Sequence, residues 1–167
     1  MRILIFILAL LATPAWALDP ETPPNTDVNA PLDALHRAAA EADGKTYFDL
    51  FTKDAIYIGT DASERWTIAQ FRAYAEPYFA QGKGWTYTVR ERHFGYADIE
   101  CKCVVWFDEL LDSESYGTSR GTGVLVLQNN EWKIAQYALT FPIPNDLAKE
   151  MTAEIKAFEG QAKVEQK

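Results

Sequence analysis

Few side chains in this 167-residue chain have the chemistry to move a proton or grip a ligand, and they are scattered. Its two histidines are His36 and His93. A pocket-facing His36 would serve as acid or base near neutral pH; the plainer alternative is a half-buried residue making one hydrogen bond. His93 stands near the end of a strand-like run, where a wet surface position is the stronger expectation. Asp61 and Glu64 flank Ser63 just ahead of Trp66. They are either paired acids at a pocket mouth or a turn whose carboxylates accept backbone N–H groups, and the turn is favoured. Asp54 reads as a turn former. His36 with Asp61 is the candidate acid–base pair. Tyr57, Trp66, Tyr78, Trp106 and Tyr137 form an aromatic set able to line a pocket for a flat molecule, although each taken alone is read as a core residue before a ligand contact. Asp108 shares a strand face with Trp106 by parity, and Arg120 lies on the next strand. An Asp108–Arg120 pair is expected there, able to hold a carboxylate if that face is internal and of little energetic weight if it is wet.

No nucleophile carries a signature: Gly-x-Ser-x-Gly and His-Glu-x-x-His are both absent. Arg120-Gly121-Thr122-Gly123 runs straight into a strand rather than a helix, so it is no phosphate cradle. The cysteines form Cys101-Lys102-Cys103. On an extended strand their Cα atoms would stand about 6.5–7 Å apart, at the limit for a disulfide. We therefore expect small packed apolar groups. No other Cys or His pair stands at ligand spacing, and neither a metal nor a cofactor is expected.

The elements that must position these residues follow from hydrophobic period. Leu32, Leu35, Ala39 and Ala42 make one stripe of a helix over 33–43. Gly44 interrupts it, and a short helix follows over 46–51. A short strand is expected at 55–59. Thr67 caps a third helix running to about Gln81, which Pro77 should kink or shorten. Four alternating runs come next, at 86–94, 99–111, 116–127 and 132–141. The last two flank Gln128-Asn129-Asn130-Glu131, a hairpin turn. Pro142 and Pro144 stop the sheet. Asn145 caps a terminal helix with Leu147, Met151, Ile155 and Phe158 on one stripe. Helices first and strands afterwards argue for an α+β fold.

The length suggests one domain. With 48% hydrophobic and 13% aromatic residues the chain can bury a sizeable core, and its formal charge of −8 repels phosphate backbones, so nucleic acid is not an expected partner. Met1-Arg2, the apolar run Ile3–Leu11 and Ala15-Trp16-Ala17 read as a secretory leader cut after Ala17. Residues 18–30, with Pro20, Pro23 and Pro24, read as a flexible linker. Residues 31–144 then form the domain, and 145–167 an amphipathic helix and tail. No later run is long and apolar enough for stable membrane insertion once the leader is cut. The expected location is exported, either periplasmic or secreted.

Four motifs then converge. They are Phe51-Thr52-Lys53-Asp54-Ala55-Ile56-Tyr57-Ile58-Gly59-Thr60, Glu64-Arg65-Trp66, Arg120-Gly121-Thr122-Gly123-Val124-Leu125 and Trp132-Lys133-Ile134. With the order of elements, they make residues 32–144 resemble the SnoaL-like proteins of the nuclear transport factor 2-like superfamily. The resemblance implies a cone-shaped barrel, with three N-terminal helices on a curved, mostly antiparallel sheet. It implies a domain that binds a small apolar or aromatic molecule between helices and sheet. The alternatives are an acid–base enzyme of isomerase, cyclase or hydratase type and a homo-oligomeric interaction module; a homodimer is expected. The ketosteroid isomerases of this superfamily use a carboxylate base, a Tyr and a protonated Asp. Those positions fall here at Gly59, about Leu35 and near Gly123, which leaves a shifted arrangement around His36 and Asp61.

Overall fold

The computed structural model describes residues 27–165, with side chains to residue 161. The leader expected at 1–17 and most of the linker expected at 18–30 lie outside the described residues. The end of that linker is already part of the domain. Val28 is buried, and Asn29 Oδ1 accepts a hydrogen bond from Arg92 at 3.1 Å.

Helix α1 (Ala30–Ala40) opens on Pro31, whose fixed φ suits a first turn. Helix α2 (Gly44–Asp49) is capped by Asp43, which accepts the Thr46 N–H at 3.0 Å. It therefore starts earlier than its apolar residues suggest. Phe51 leaves it to open strand β1 (Phe51–Ile58). Strand β2 (Arg65–Thr67) has only three residues and pairs antiparallel to β1. Thr67 and Gln70 form a reciprocal capping box on α3 (Ile68–Phe79), and Pro77 sits in the last turn without ending the helix. Strands β3 (Thr88–Tyr96), β4 (Val104–Ser113), β5 (Gly117–Gln128) and β6 (Glu131–Thr140) follow, then α4 (Asn145–Glu165). Asn129 and Asn130 adopt φ of 50° and 66°, the positive pair that a two-residue I′ hairpin turn requires.

The six strands form one curved, unclosed sheet in the order β2-β1-β6-β5-β4-β3. Every pairing is antiparallel except β1 with β6. This is the α+β cone. α1, α2 and α3 cover the inner face of the sheet, and the core lies between. Tyr47 is central to it, with the rings of Phe48, Phe51, Phe71, Phe79 and Trp85 at centroid distances of 5.1–6.1 Å.

Two bulges decide which side chains face inward. Between Val89 and Glu91 the register shifts, so Val89 and Arg92, three apart, both turn toward the core. The shift between Val124 and Leu125 does the same for Ile134 and Tyr137 on the paired strand. Unbroken alternation would put Arg92 and Tyr137 in solvent.

The cysteines depart from expectation. β4 begins at Val104, so Cys101 and Cys103 lie in the loop before it. Lys102 turns the backbone at φ 48°, the Cα atoms approach to 5.1 Å, and the two sulfurs are bonded. The extended-strand premise fails, and the packed-thiol reading with it. On α4 the stripe of Leu147, Met151, Ile155 and Phe158 is exposed. Among the described residues no helix is long and apolar enough to cross a membrane.

Candidate functional site

Between the helices and the inner face of the sheet lies an open cleft of about 290 Å³. Its walls are aromatic: Tyr57, Trp66, Phe71, Tyr74, Trp85, Tyr87, Tyr116 and Phe141, with Leu139, Gly59, Thr60 and Glu64 completing them. Capping and pairing place these rings. β2 pairs Trp66 with Tyr57 of β1, and the Thr67 cap then starts α3 so that Phe71 and Tyr74 follow on one helix face. The result is a ladder of near-parallel rings. Tyr57 and Phe71 stack at 3.7 Å, Phe71 and Trp66 at 5.4 Å, and Trp66 and Tyr74 at 5.0 Å.

Tyr57, Trp85, Tyr87 and Leu139 also line a narrow inner end of about 10 Å³, together with Leu35, His36, Ala39, Tyr47 and Tyr137. Behind that end stands the one fully buried carboxylate described, Glu109. Its Oε1 accepts from Tyr137 Oη at 2.9 Å and from His36 Nε2 at 2.9 Å. Its Oε2 accepts from Arg92 Nε at 2.8 Å. Arg92 is the direct cross-strand partner of Glu109, and its Nη1 reaches Asp33 Oδ1 at 2.8 Å. Asp33 thus holds the far side of the guanidinium, in addition to suiting the α1 dipole. Arg92 Nη2 is buried without a partner among the described residues. Gly121 makes the arrangement possible: a Cβ there would meet the Tyr137 hydroxyl and stand 2.9 Å from Glu109 Oε1.

The electrostatics follow from these contacts. Burial pushes the Glu109 carboxyl up, but hydrogen bonds and charge from His36 and Arg92 outweigh it and hold the group below its ordinary value. Burial, and then the Glu109 charge, push the Tyr137 hydroxyl well above its ordinary value, so it stays a neutral donor. Since the Glu109 carboxylate only accepts, His36 Nε2 donates, and a neutral imidazole keeps its lone pair on Nδ1. An oriented imidazole beside an aromatic cleft can exchange a proton with a bound molecule.

Of the residues singled out in the sequence, Tyr57 and Trp66 lie in the cleft wall, and His36 and Tyr137 at its inner end. The others lie elsewhere. Asp61 is exposed in the turn before β2, where its Oδ1 accepts the Ser63 N–H at 2.8 Å and hydroxyl at 2.5 Å, and it does not meet His36. Tyr78 is half exposed on α3, outside the cleft wall. Trp106, Asp108 and Arg120 follow the outward parity of their strands onto the opposite face of the sheet. Trp106 covers Gly95 there. Asp108 pairs with Thr122 and Arg120 with Leu110, so the expected Asp108–Arg120 ion pair does not form. His93 is exposed, opposite Asp108. Sequence reasoning missed Glu109 and Arg92. Glu109 did carry a signal, as a charged residue at an inward position of Val105, Phe107, Glu109 and Leu111.

The chain belongs to the SnoaL-like domain family, whose sequence profile matches residues 28–144. Similar solved structures include a nuclear transport factor 2-like protein of unknown function from Pseudomonas putida (13% identity, 71% of this chain and 86% of that one, TM-score 0.58). Another is a candidate dehydratase of that family from Streptomyces avermitilis (10%, 70% and 94%, 0.58). A third is a candidate aromatic ring hydroxylase from Novosphingobium aromaticivorans (16%, 70% and 87%, 0.54). At these identities the likeness is one of fold. No curated protein matches.

Proposed function

We propose that this domain binds a small, flat, largely apolar molecule in the cleft. The observation that carries the reading is the ladder of near-parallel rings opening onto about 290 Å³ and leading to His36 and Tyr137. Aromatic walls with a few convergent polar groups at one end are what small-molecule sites present. The binder acts outside the cytoplasm, a reading supported by the leader-like N-terminus and by the Cys101–Cys103 bridge, since disulfides persist in oxidising compartments. The test is a calorimetric titration with 2-naphthylmethanol, on the parent and on Leu139→Trp, which fills the wall shared by the mouth and the inner end. Binding to the parent and its loss in the variant support the reading; no binding to the parent, by this alcohol or by its cationic and anionic naphthyl counterparts, overturns it.

A second reading, an acid–base enzyme of isomerase, cyclase or hydratase type, is favoured by one observation: His36 lies at the inner end with its Nε2 held by a buried carboxylate. In this reading His36 Nδ1 takes or returns the substrate proton, and Glu109 with Arg92 orients the ring. It predicts a rate that falls by roughly 10²–10⁴-fold in His36→Gln at unchanged ligand affinity. Equal loss of affinity and rate would leave His36 a wall residue only.

A further inference from the structure

We propose that the mouth of the cleft selects an organic cation, an ammonium or quaternary ammonium group carried on the apolar body of the ligand. This rests on the ligand-binding reading and adds the ligand's charge. Among the described residues, the carboxylate of Glu64 is the one formally charged side chain in the mouth, and no lysine or arginine lines it. It is also fixed there. Glu64 Oε2 accepts the Asp61 N–H at 3.2 Å. The Gly59 N–H donates to the Glu64 carbonyl at 2.8 Å, and the Glu64 N–H to the Asp61 carbonyl at 3.0 Å. Gly59 leaves the space that the carboxylate fills, because any Cβ at 59 would collide with it.

Glu64 is a half-buried residue, and among the described residues no arginine, lysine or histidine nitrogen lies within 4 Å of its carboxylate. Trp66, Tyr74, Tyr87 and Tyr116 line the same cleft, and the faces of aromatic rings carry negative potential. Burial, and then charges that include Glu64, push the Tyr74 hydroxyl up, in line with a carboxylate acting across the mouth. A neutral ligand covering this mouth would strip water from Glu64 and return nothing for it. An anion would in addition be repelled. A cation meets both the carboxylate and the ring faces. Deeper in the cleft, His36 is already engaged by Glu109 and does not compete for Glu64.

The test uses one ring system with three charges, titrated by calorimetry: (2-naphthylmethyl)trimethylammonium, 2-naphthylmethanol and 2-naphthoate. The expected result is that the cation binds at least about fivefold tighter than the alcohol, with the carboxylate weakest. In Glu64→Gln, which can still accept the Asp61 N–H, the preference for the cation over the alcohol shrinks to what the ring faces alone supply, under about twofold. A second measurement needs no variant: added salt weakens the cation and leaves the alcohol unchanged. Equal binding of cation and alcohol overturns the charge assignment and leaves the binding reading standing. So does a preference that survives Glu64→Gln undiminished. Failure of all three probes overturns both.

Discussion

Replacing Arg92 by Met removes the guanidinium charge paired with a buried carboxylate and keeps most of the apolar stem. Arg92 Nε is 2.8 Å from Glu109 Oε2, and both side chains are buried. Breaking such a pair from one side costs about 3–5 kcal/mol, because the remaining charge is left without compensation. The Asp33 contact adds under about 1 kcal/mol, its carboxylate being half exposed. His36 and Tyr137 still hold the other oxygen of Glu109, which places the expected loss near the lower bound, about 3 kcal/mol. The penalty depends on pH with a defined sign. In the parent the Glu109 carboxyl is held below its ordinary 4.5. Ionised Glu109 therefore stabilises the fold above that value, and its contribution fades as pH falls through the lower folded value. In Arg92→Met, burial gains weight and pushes the carboxyl up again. The difference between parent and variant should then be largest near about pH 7.5 and shrink toward about pH 4.5, where the variant can take up a proton instead of burying a charge. Urea unfolding followed by tryptophan fluorescence at both pH values measures it. A loss below about 1 kcal/mol, or one that is the same at both pH values, refutes the reasoning.

Gly121→Ala should cost about 1–3 kcal/mol in the same assay, since its methyl displaces the Tyr137 hydroxyl from Glu109; an unchanged midpoint would show that the strands part freely there. Trp66→Ala should weaken 2-naphthylmethanol roughly tenfold, while Trp106→Ala, on the other face of the sheet, should change it less than about twofold. Removing residues 145–167 should leave thermal stability within about 3 °C, because the apolar stripe of α4 is exposed rather than packed on the domain. Light scattering on the same pair shows whether that stripe holds copies together: a fall in mass on truncation would assign it that role.

What could be read from the sequence, and what could not, has a physical cause in each case. The long strands were legible because β4, β5 and β6 each run for ten or more residues and β4 and β5 alternate along most of their length, and the Asn129-Asn130 turn is of a type few residues tolerate. The three-residue β2 is too short to show a period. The start of β4 was misplaced because Ile99 and the cysteines extend its apolar run, while Lys102 turns the backbone away. In the site, Tyr57, Trp66 and His36 could be named because each sits beside an apolar stripe. Arg92 and the inward aim of Tyr137 could not be read from alternation, since a bulge reverses the parity before each. Glu109 needed no bulge, only the strand parity already in hand. Trp106, Asp108 and Arg120 fall outside the pocket because parity and pairing tell which residues share a face, not which face is inside.

The central claim is that ligands enter between the helices and the inner face of the sheet, and indole N–H resonances of the ¹⁵N-labelled protein test it most directly. Trp66 and Trp85 line the cleft, while Trp106 lies half exposed on the opposite face. On addition of (2-naphthylmethyl)trimethylammonium or 2-naphthylmethanol, the Trp66 and Trp85 signals should shift together and saturate while that of Trp106 stays in place. A titration that moves Trp106 and leaves Trp66 and Trp85 unchanged would contradict the account and put the binding surface on the outer face of the sheet.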